Sequence, residues 1–260
     1  MRRAILLALP LVACIQTTGG AIVDFPVAAA GRSDLTQGKP LEFISDNGGW
    51  HVVLTKVILH VGAIYLDQAE PVSGAGATPC ILPGTYIAQM TTGMDVDLLS
   101  PEPQRFTALG HGTTGQALVG QLWLTGTSDI NATDDVTKIL VVEGTADRAG
   151  DVRPFSGTIT IGSNRQVATS GAAGAAPICK ERIVTVNTLV PVRTTGGLLV
   201  RIDAQKLFTN VDWSALKPFS DTYGFQDAPN KDQPSTNLYQ NLHAGSAAGS
   251  PYSFTWTDGP

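Results

Sequence analysis

Residues 50–66, WHVVLTKVILHVGAIYL, form the longest nearly uninterrupted run of β-branched and apolar side chains in the sequence. A run of this kind suits either a buried strand or a buried helix. Valine and isoleucine dominate it, and Thr55 adds another β-branched side chain. Such side chains lose rotamer freedom in a helix but pack well on a pleated sheet, so the composition favours strands.

A single strand over this whole stretch would be roughly 56 Å long, far beyond the usual length of strands in globular domains. The stretch must therefore bend or break. Gly62 is the expected point, because a glycine inside a strand pattern marks a bulge or a change of sheet. We predict two strands, at about residues 50–60 and 63–67, near the centre of the fold.

Other short apolar or alternating runs continue along the chain, separated by Gly, Pro and Asn turns. They are residues 40–45, 85–91, 96–99, 116–124, 138–143, 154–161, 182–190, 198–203 and 252–257. Residues 204–216 alone suggest a helix, and the polar stretch 217–250 predicts mainly loop. The pattern predicts an all-β protein, an antiparallel β-sandwich of about ten strands with long Gly/Ala/Pro loops and little helix.

The charge pattern argues against nucleic acid as a partner. The 260 residues carry a net charge of −5, only 15% of them are charged, and no Lys/Arg cluster occurs beyond Arg3. Nucleic acid binding is therefore not expected, since it needs a basic patch.

The N-terminus has the form of an export signal. Arg2 and Arg3 precede ten apolar residues, too few for a permanent membrane helix. The following LVAC, residues 11–14, resembles the lipobox of bacterial lipoproteins. That resemblance implies a signal peptide over residues 1–13 and a diacylglyceryl group on Cys14. The residue pattern then predicts a tether over 14–38, which lacks sustained periodicity, and a sandwich domain over 39–260.

Ile15 follows the cysteine, so the acidic retention signal of inner-membrane lipoproteins is absent. We expect a lipid-anchored protein of the cell envelope, on the outer membrane and facing the periplasm or the exterior. The alternative is an ordinary signal peptide cleaved elsewhere, with an incidental Cys14.

Cys80 and Cys179 remain as an even pair in an oxidising compartment, which favours one disulfide. A metal site using both is the alternative, although neither has a CxxC or histidine neighbour.

His51, His60 and His111, with Met90 and Met94, are the metal candidates. An unbroken strand would place His51 and His60 about 30 Å apart on opposite faces. His60 with His111, or His51 with the two methionines, could meet across strands, and imidazole with thioether suits copper. The alternative is that each histidine is an ordinary surface or core residue.

The loop TSDINATDD, residues 127–135, is rich in oxygen ligands of the kind that hold Ca²⁺. Its candidate ligands are Asp129, Asn131, Asp134 and Asp135. It lacks the glycine and glutamate of an EF-hand, and the alternative is a solvated acidic turn.

The C-terminal part of the chain has a distinct layout. It consists of residues 154–164 (PFSGTITIGSN), then Cys179, then residues 198–208 (LLVRIDAQKLF), then the terminal aromatic strand. It resembles that of the methanobactin-partner, or metallo-mystery pair, family of periplasmic copper-associated proteins. The resemblance covers about residues 154–260. It implies a β-sandwich, several cysteines and copper bound near histidine and an oxidised tryptophan, and Trp50 beside His51 is the Trp–His neighbour here.

The motif-like fragments in the sequence lack the structural context that their functions require. GHGTTG at residues 110–115 matches GxGxxG, but a strand pattern follows where a dinucleotide site needs a helix. We therefore expect no enzymatic activity. The predicted function is a membrane-anchored module that binds a protein or small ligand through loops at the end of the sandwich, and the alternative is a copper-binding lipoprotein.

Overall fold

A computed structural model describes residues 19–69, 85–124, 138–160, 183–225, 232–245 and 249–260. The protein is an all-β protein, as its sequence predicts. The described strands form three sheets, which share one continuous cluster of buried apolar side chains.

Sheet I has six strands in the order β1-β9-β6-β5-β10-β13, and all its pairs are antiparallel. They are β1 Ile22–Phe25, β5 Ala63–Asp67, β6 Tyr86–Met90, β9 Gly110–Thr113, β10 Gly115–Trp123 and β13 Ile183–Val192.

Sheet II has the order β15-β16-β12-β11-β4-β3, with β7 also paired to β4. Its strands are β3 Leu41–Ile44, β4 His51–Val61, β7 Met94–Asp97, β11 Lys138–Arg148, β12 Asp151–Thr160, β15 Lys217–Phe219 and β16 Thr222–Phe225.

Sheet III has the order β17-β14-β2-β8. Its strands are β2 Val27–Ala30, β8 Gln104–Arg105, β14 Gly197–Ile202 and β17 Tyr252–Thr257. The pairs β14·β2 and β12·β16 are parallel, so sheets II and III are mixed rather than wholly antiparallel.

The break predicted at Gly62 is confirmed, and it is a change of sheet. β4 belongs to sheet II and β5 to sheet I, with Gly62 alone between them. Its amide donates to Trp123 O at 2.7 Å, so the backbone stays bonded through the crossing. The run that dominates the sequence therefore joins two sheets.

The N-terminal segment contributes more than a tether. Within the predicted tether of residues 14–38, β1 pairs with β9 and β2 lies between β14 and β8. Phe25 and Val27 are buried in the core. The sandwich therefore includes strands that begin at Ile22, earlier than the expected boundary at residue 39.

The described residues contain little helix, as expected, but the helices lie at positions other than those predicted. The stretch 204–216 forms only the one-turn helix α1 Ala204–Leu207 and a 3₁₀ turn at Trp213–Ala215. The polar stretch expected to be loop contains β15, β16 and helix α2 Gln233–Leu242. Asp232 caps α2, and Leu238 and Leu242 bury one of its faces. Among the described residues, no helix is long and apolar enough to cross a membrane.

Candidate functional site

Each of the three candidate histidines hydrogen-bonds a carboxylate on a neighbouring strand. His51 Nε2 lies 3.3 Å from Glu42, His60 Nδ1 2.8 Å from Asp95, and His111 Nδ1 2.6 Å from Asp24. The three pairs lie on β4–β3, β4–β7 and β9–β1.

The expectation that His51 and His60 lie on opposite faces is wrong, because β4 contains a bulge. Leu54 pairs with Gly144 and Lys56 with Glu143, which leaves Thr55 as the extra residue. The bulge shifts the alternation by one, so His51 and His60 both lie on the outward face. Nine residues still separate them along the strand, about 30 Å.

The His60 ring has one nitrogen occupied and one unused. Asp95 takes Nδ1, while Nε2 is buried without a hydrogen-bond partner in the described part of the chain. A Cβ on Gly93 would lie 2.7 Å from Nε2, closer than real Cβ contacts, so the ring packs directly against this glycine. A carboxylate that orients a histidine with a free nitrogen is the arrangement found around metal-binding histidines.

The methionines do not join His60. His60 opposes Asp95, whereas the next pair along, Val61 and Met94, faces the other side of the sheet. Met90 is buried, and its Sδ accepts from Thr92 N at 3.3 Å.

The strand pairing brings neither of the two other combinations together. His111 lies in sheet I and His60 in sheet II, and His51 is at the opposite end of β4 from the strand segment that pairs with Met94. Within the described ranges, no three His, Cys, Asp or Glu side chains are grouped to hold a metal.

Several candidate residues fall outside the described part of the chain. They are the lipidation residue Cys14, the cysteines Cys80 and Cys179, and the calcium-loop residues Asp129, Asn131, Asp134 and Asp135. Their assignments stay predictions.

A row of polar side chains crosses sheet I and was not expected from the sequence. Residues directly opposite each other in a sheet point to the same face. The register places one such residue on each of the six strands, and all are polar: Asp24, His111, Gln89, Tyr65, Gln121 and Thr185. Their strand neighbours on the opposite face are all apolar or glycine: Val23, Gly112, Ala88, Leu66, Gly120 and Val186. The polar row therefore marks the outer face of sheet I, and the apolar row marks the core face.

Burial changes along this polar row. Asp24, His111 and Gln89 are exposed, Thr185 is half-buried, and Tyr65 and Gln121 are buried. One end can therefore meet a ligand directly, while the middle holds polar groups away from water.

A hydrogen-bonded chain lies at the buried part. Trp123 Nε1 donates to Gln121 Oε1 at 3.2 Å, and Gln121 Nε2 donates to Asp67 Oδ2 at 2.9 Å. Asp67 is fully buried, and its Oδ1 has no hydrogen-bond partner in the described residues. Burial raises the pKa of Asp67 to about 6, although the bond from Gln121 opposes the shift.

Three aromatic rings cluster near this carboxyl group. Tyr65 packs against Tyr86 and Trp123 with ring centroids 5.2 and 5.3 Å away. Burial raises the pKa of Tyr86, and the nearby charge of Asp67 adds to that shift. A buried acid with a perturbed pKa among aromatic rings is a common feature of functional sites.

The sequence contains a weak signal of this face. Gln89 and Gln121 each interrupt an otherwise apolar strand, and Asp67 ends one. Their alignment depends on the register of strands far apart in sequence, which no local pattern specifies.

Comparisons with known proteins give little further guidance. No protein-family model matches the chain, and no curated protein matches it. Among solved structures, it is similar to MbnP from Methylosinus trichosporium, with a TM-score of 0.45 and 13% sequence identity. The similarity covers 91% of this chain and 99% of that one.

Proposed function

We propose that this protein is a non-enzymatic binding module of the cell envelope, anchored through Cys14, that recognises a polar ligand or partner protein on the outer face of sheet I. The observation that carries the proposal is the polar row across all six strands of that sheet. Side chains held on paired strands are positioned more rigidly than side chains on loops, which favours selective hydrogen bonding.

The exposed part of the row supplies a contact surface. Asp24, His111 and Gln89 offer a carboxylate, an imidazole and a carboxamide, and partly exposed Tyr86 adds an aromatic ring on the next strand pair. Tyrosine is enriched at recognition surfaces because one side chain offers both apolar area and a hydroxyl. This mixture fits a partner rich in hydrogen-bonding groups.

Site-specific photo-crosslinking in the native envelope tests this surface. A photoreactive residue at Gln89 should give an adduct of defined mass, and His111→Ala should reduce that adduct several-fold. The matched control is the same residue at Val152, an exposed strand position in sheet II. Equal adducts at both positions, or no effect of His111→Ala, would contradict the proposal.

The membrane anchor is tested separately. Metabolic labelling with an alkyne fatty acid should mark the wild-type chain and not Cys14→Ser. A labelled Cys14→Ser chain would place the lipid elsewhere, and an unlabelled wild-type chain would remove the anchor from the proposal.

Metal binding at His60 is the second candidate function. The buried and unpartnered Nε2, with Asp95 on Nδ1, favours it over the other two histidines. Copper is the metal to test first, because imidazole suits it, although the methionines lie apart from this ring.

Mass spectrometry of metal content in unchelated protein, followed by titration with copper and calcium, tests this candidate. Copper should bind wild-type protein near one equivalent. His60→Asn and Gly93→Ala should both lose it, the second because its Cβ would lie 2.7 Å from Nε2 and force the ring to move. His51→Asn is the control. Binding unaffected by either variant, or no binding at micromolar copper, would exclude the site.

A further inference from the structure

A cleft of about 220 Å³ lies beside sheet III. It is bounded by the segment after β2, the end of β14, helix α1 and the start of β17. Three basic residues line it, with serine hydroxyl groups around them: Arg32, Arg201, Lys206, Ser33, Ser250 and Ser253.

Two carboxylates line this cleft, those of Asp34 and Asp203, and both interact with Arg32. Arg32 Nε donates to Asp34 Oδ1 at 2.9 Å, and its Nη1 lies 3.7 Å from Asp203. The hydrogen bond to Asp34 raises the pKa of Arg32, and the charge of Asp203 adds to that shift. Arg32 is therefore already neutralised.

Arg201 and Lys206 are held without a carboxylate. Arg201 Nη1 donates to Gly31 O at 2.8 Å and Pro101 O at 3.1 Å, and Lys206 Nζ donates to Ser250 O at 3.1 Å. Neither forms an ion pair with any described residue. The bonds to carbonyl oxygens fix the two cations in place but supply no counter-charge.

The strand register brings a hydroxyl group to the same place. Arg201 on β14 directly opposes Ser253 on β17, so both side chains lie on one face of sheet III. Two cations and nearby hydroxyl donors in a small cleft form an environment that favours an anion with several acceptor oxygens.

We propose that this cleft binds a small oxyanion of the phosphate type through Arg201 and Lys206. A guanidinium group matches the geometry of a phosphate, while the ammonium group adds a point charge. The volume is below the range of ordinary ligand pockets, which favours a free phosphate or a single phosphate group of a larger molecule.

Calorimetric titration of the full-length protein with inorganic phosphate, at constant ionic strength set by chloride, tests the site. Wild-type protein should bind one phosphate, and Lys206→Gln should weaken binding tenfold or more. Arg201→Lys should also weaken it while keeping the charge, because lysine has no planar fork. Arg105→Gln, which removes an exposed cation elsewhere in sheet III, is the matched control and should bind as wild type.

A phosphate group can come from solution or from a lipid headgroup, and a second arm separates these sources. Vesicles of phosphatidylcholine with phosphatidylglycerol are sedimented with wild-type protein and Lys206→Gln. Phosphate binding without Lys206-dependent sedimentation assigns the site to a soluble ligand, whereas both together assign it to a headgroup.

Two results would overturn the proposal. One is phosphate binding no stronger than that of chloride. The other is equal phosphate affinity in wild type, Lys206→Gln and Arg105→Gln. Because Lys206 is on the surface side of the cleft and bonds only one carbonyl, circular dichroism should show Lys206→Gln folded. The test therefore does not depend on Arg201→Lys folding.

Discussion

Gln121 Nε2 donates to Asp67 Oδ2 at 2.9 Å, and both side chains are completely buried. The bond satisfies only one carboxyl oxygen, since Oδ1 has no partner among the described residues. An ionised carboxylate in this setting is costly because burial removes its hydration. Burial therefore raises the pKa of Asp67 to about 6, so this side chain stays protonated to a higher pH than an exposed aspartate does.

Asp67→Asn should stabilise the protein at neutral pH. The folded-state pKa of Asp67 is raised from 3.8 to about 6, so the folded state binds more protons between those values than the unfolded state does. Wild-type stability should therefore fall as pH rises from 4 to 6 and level off above that. Asparagine mimics the neutral acid, so the variant should gain at most about 3 kcal/mol at pH 7 relative to pH 3.5.

Urea unfolding of both proteins across this pH range measures the effect. Asp24→Asn, at an exposed position in the same polar row, is the control for loss of a carboxylate without burial. Parallel pH profiles for wild type and Asp67→Asn would mean that the pKa of Asp67 is the same in the folded and unfolded states, which would contradict the expected shift.

His243 should limit stability at acidic pH. Burial lowers its pKa below the ordinary 6.5, its Nδ1 lies 2.8 Å from Tyr239 O, and Nε2 has no partner in the described residues. The unfolded state then gains a proton that the folded state resists, so stability is lost as pH falls below about 6.5. The slope from this group is at most about 1.4 kcal/mol per pH unit.

His243→Asn keeps a donor near the Nδ1 position and removes the titrating ring. Its unfolding free energy should be less dependent on pH between 6.5 and 5 than that of the wild type. NMR titration of the His243 ring gives a direct check, and a midpoint above 6.5 would contradict the expected direction.

Tyr252 connects the last strand to helix α2. Its hydroxyl donates to Leu242 O at 2.7 Å in a fully buried position, and burial raises the pKa of this phenol well above its ordinary value. Tyr252→Phe leaves the carbonyl without its donor and should cost about 1–2 kcal/mol in the free energy of unfolding. An unfolding midpoint in urea unchanged from wild type would show that water replaces the hydroxyl.

The sequence predicted the parts of the fold that depend on local chemistry. β-branched composition located β4 and β5, and Gly62 located the break between them, because both effects act within a few residues. The bulge at Thr55 was missed, since nothing in the run VLTKV distinguishes an extra residue from a regular strand. That one residue reversed the predicted facing of His51 and His60.

Helix α2 was missed because its composition is rich in Asn, Gln and Ser, which favour loops. Asp232 at the cap, Pro234 in the first turn and the spacing of Leu238 and Leu242 are signals that could have located it. The polar row is different in kind. Gln89 and Gln121 lie on the same face of sheet I because strands that are distant in sequence pair with each other. A single sequence without an alignment does not give that pairing.

Two glycines of GHGTTG, Gly112 and Gly115, differ in the space available beside them. Gly112 lies on the core face of sheet I, where an added Cβ would meet the Ile87 carbonyl oxygen and lie 2.6 Å from Ala88 Cβ. At Gly115 the nearest atoms to an added Cβ are 3.7 and 3.8 Å away, in ordinary contact. The motif therefore allows β9 to approach β6 closely, and its similarity to a nucleotide-binding pattern is incidental to that packing.

Gly112→Ala should therefore destabilise the protein by about 2 kcal/mol or more, since backbone rather than a flexible side chain would have to move. Gly115→Ala adds the same methyl group to the same motif and should change stability by less than about 1 kcal/mol. Urea unfolding measures the free energy of unfolding of both variants. The difference between them separates the effect of the close contact between β9 and β6 from the general effect of replacing glycine. Equal losses in both variants would indicate that β9 and β6 separate easily, in which case the register that aligns His111 with Gln89 would not be rigid.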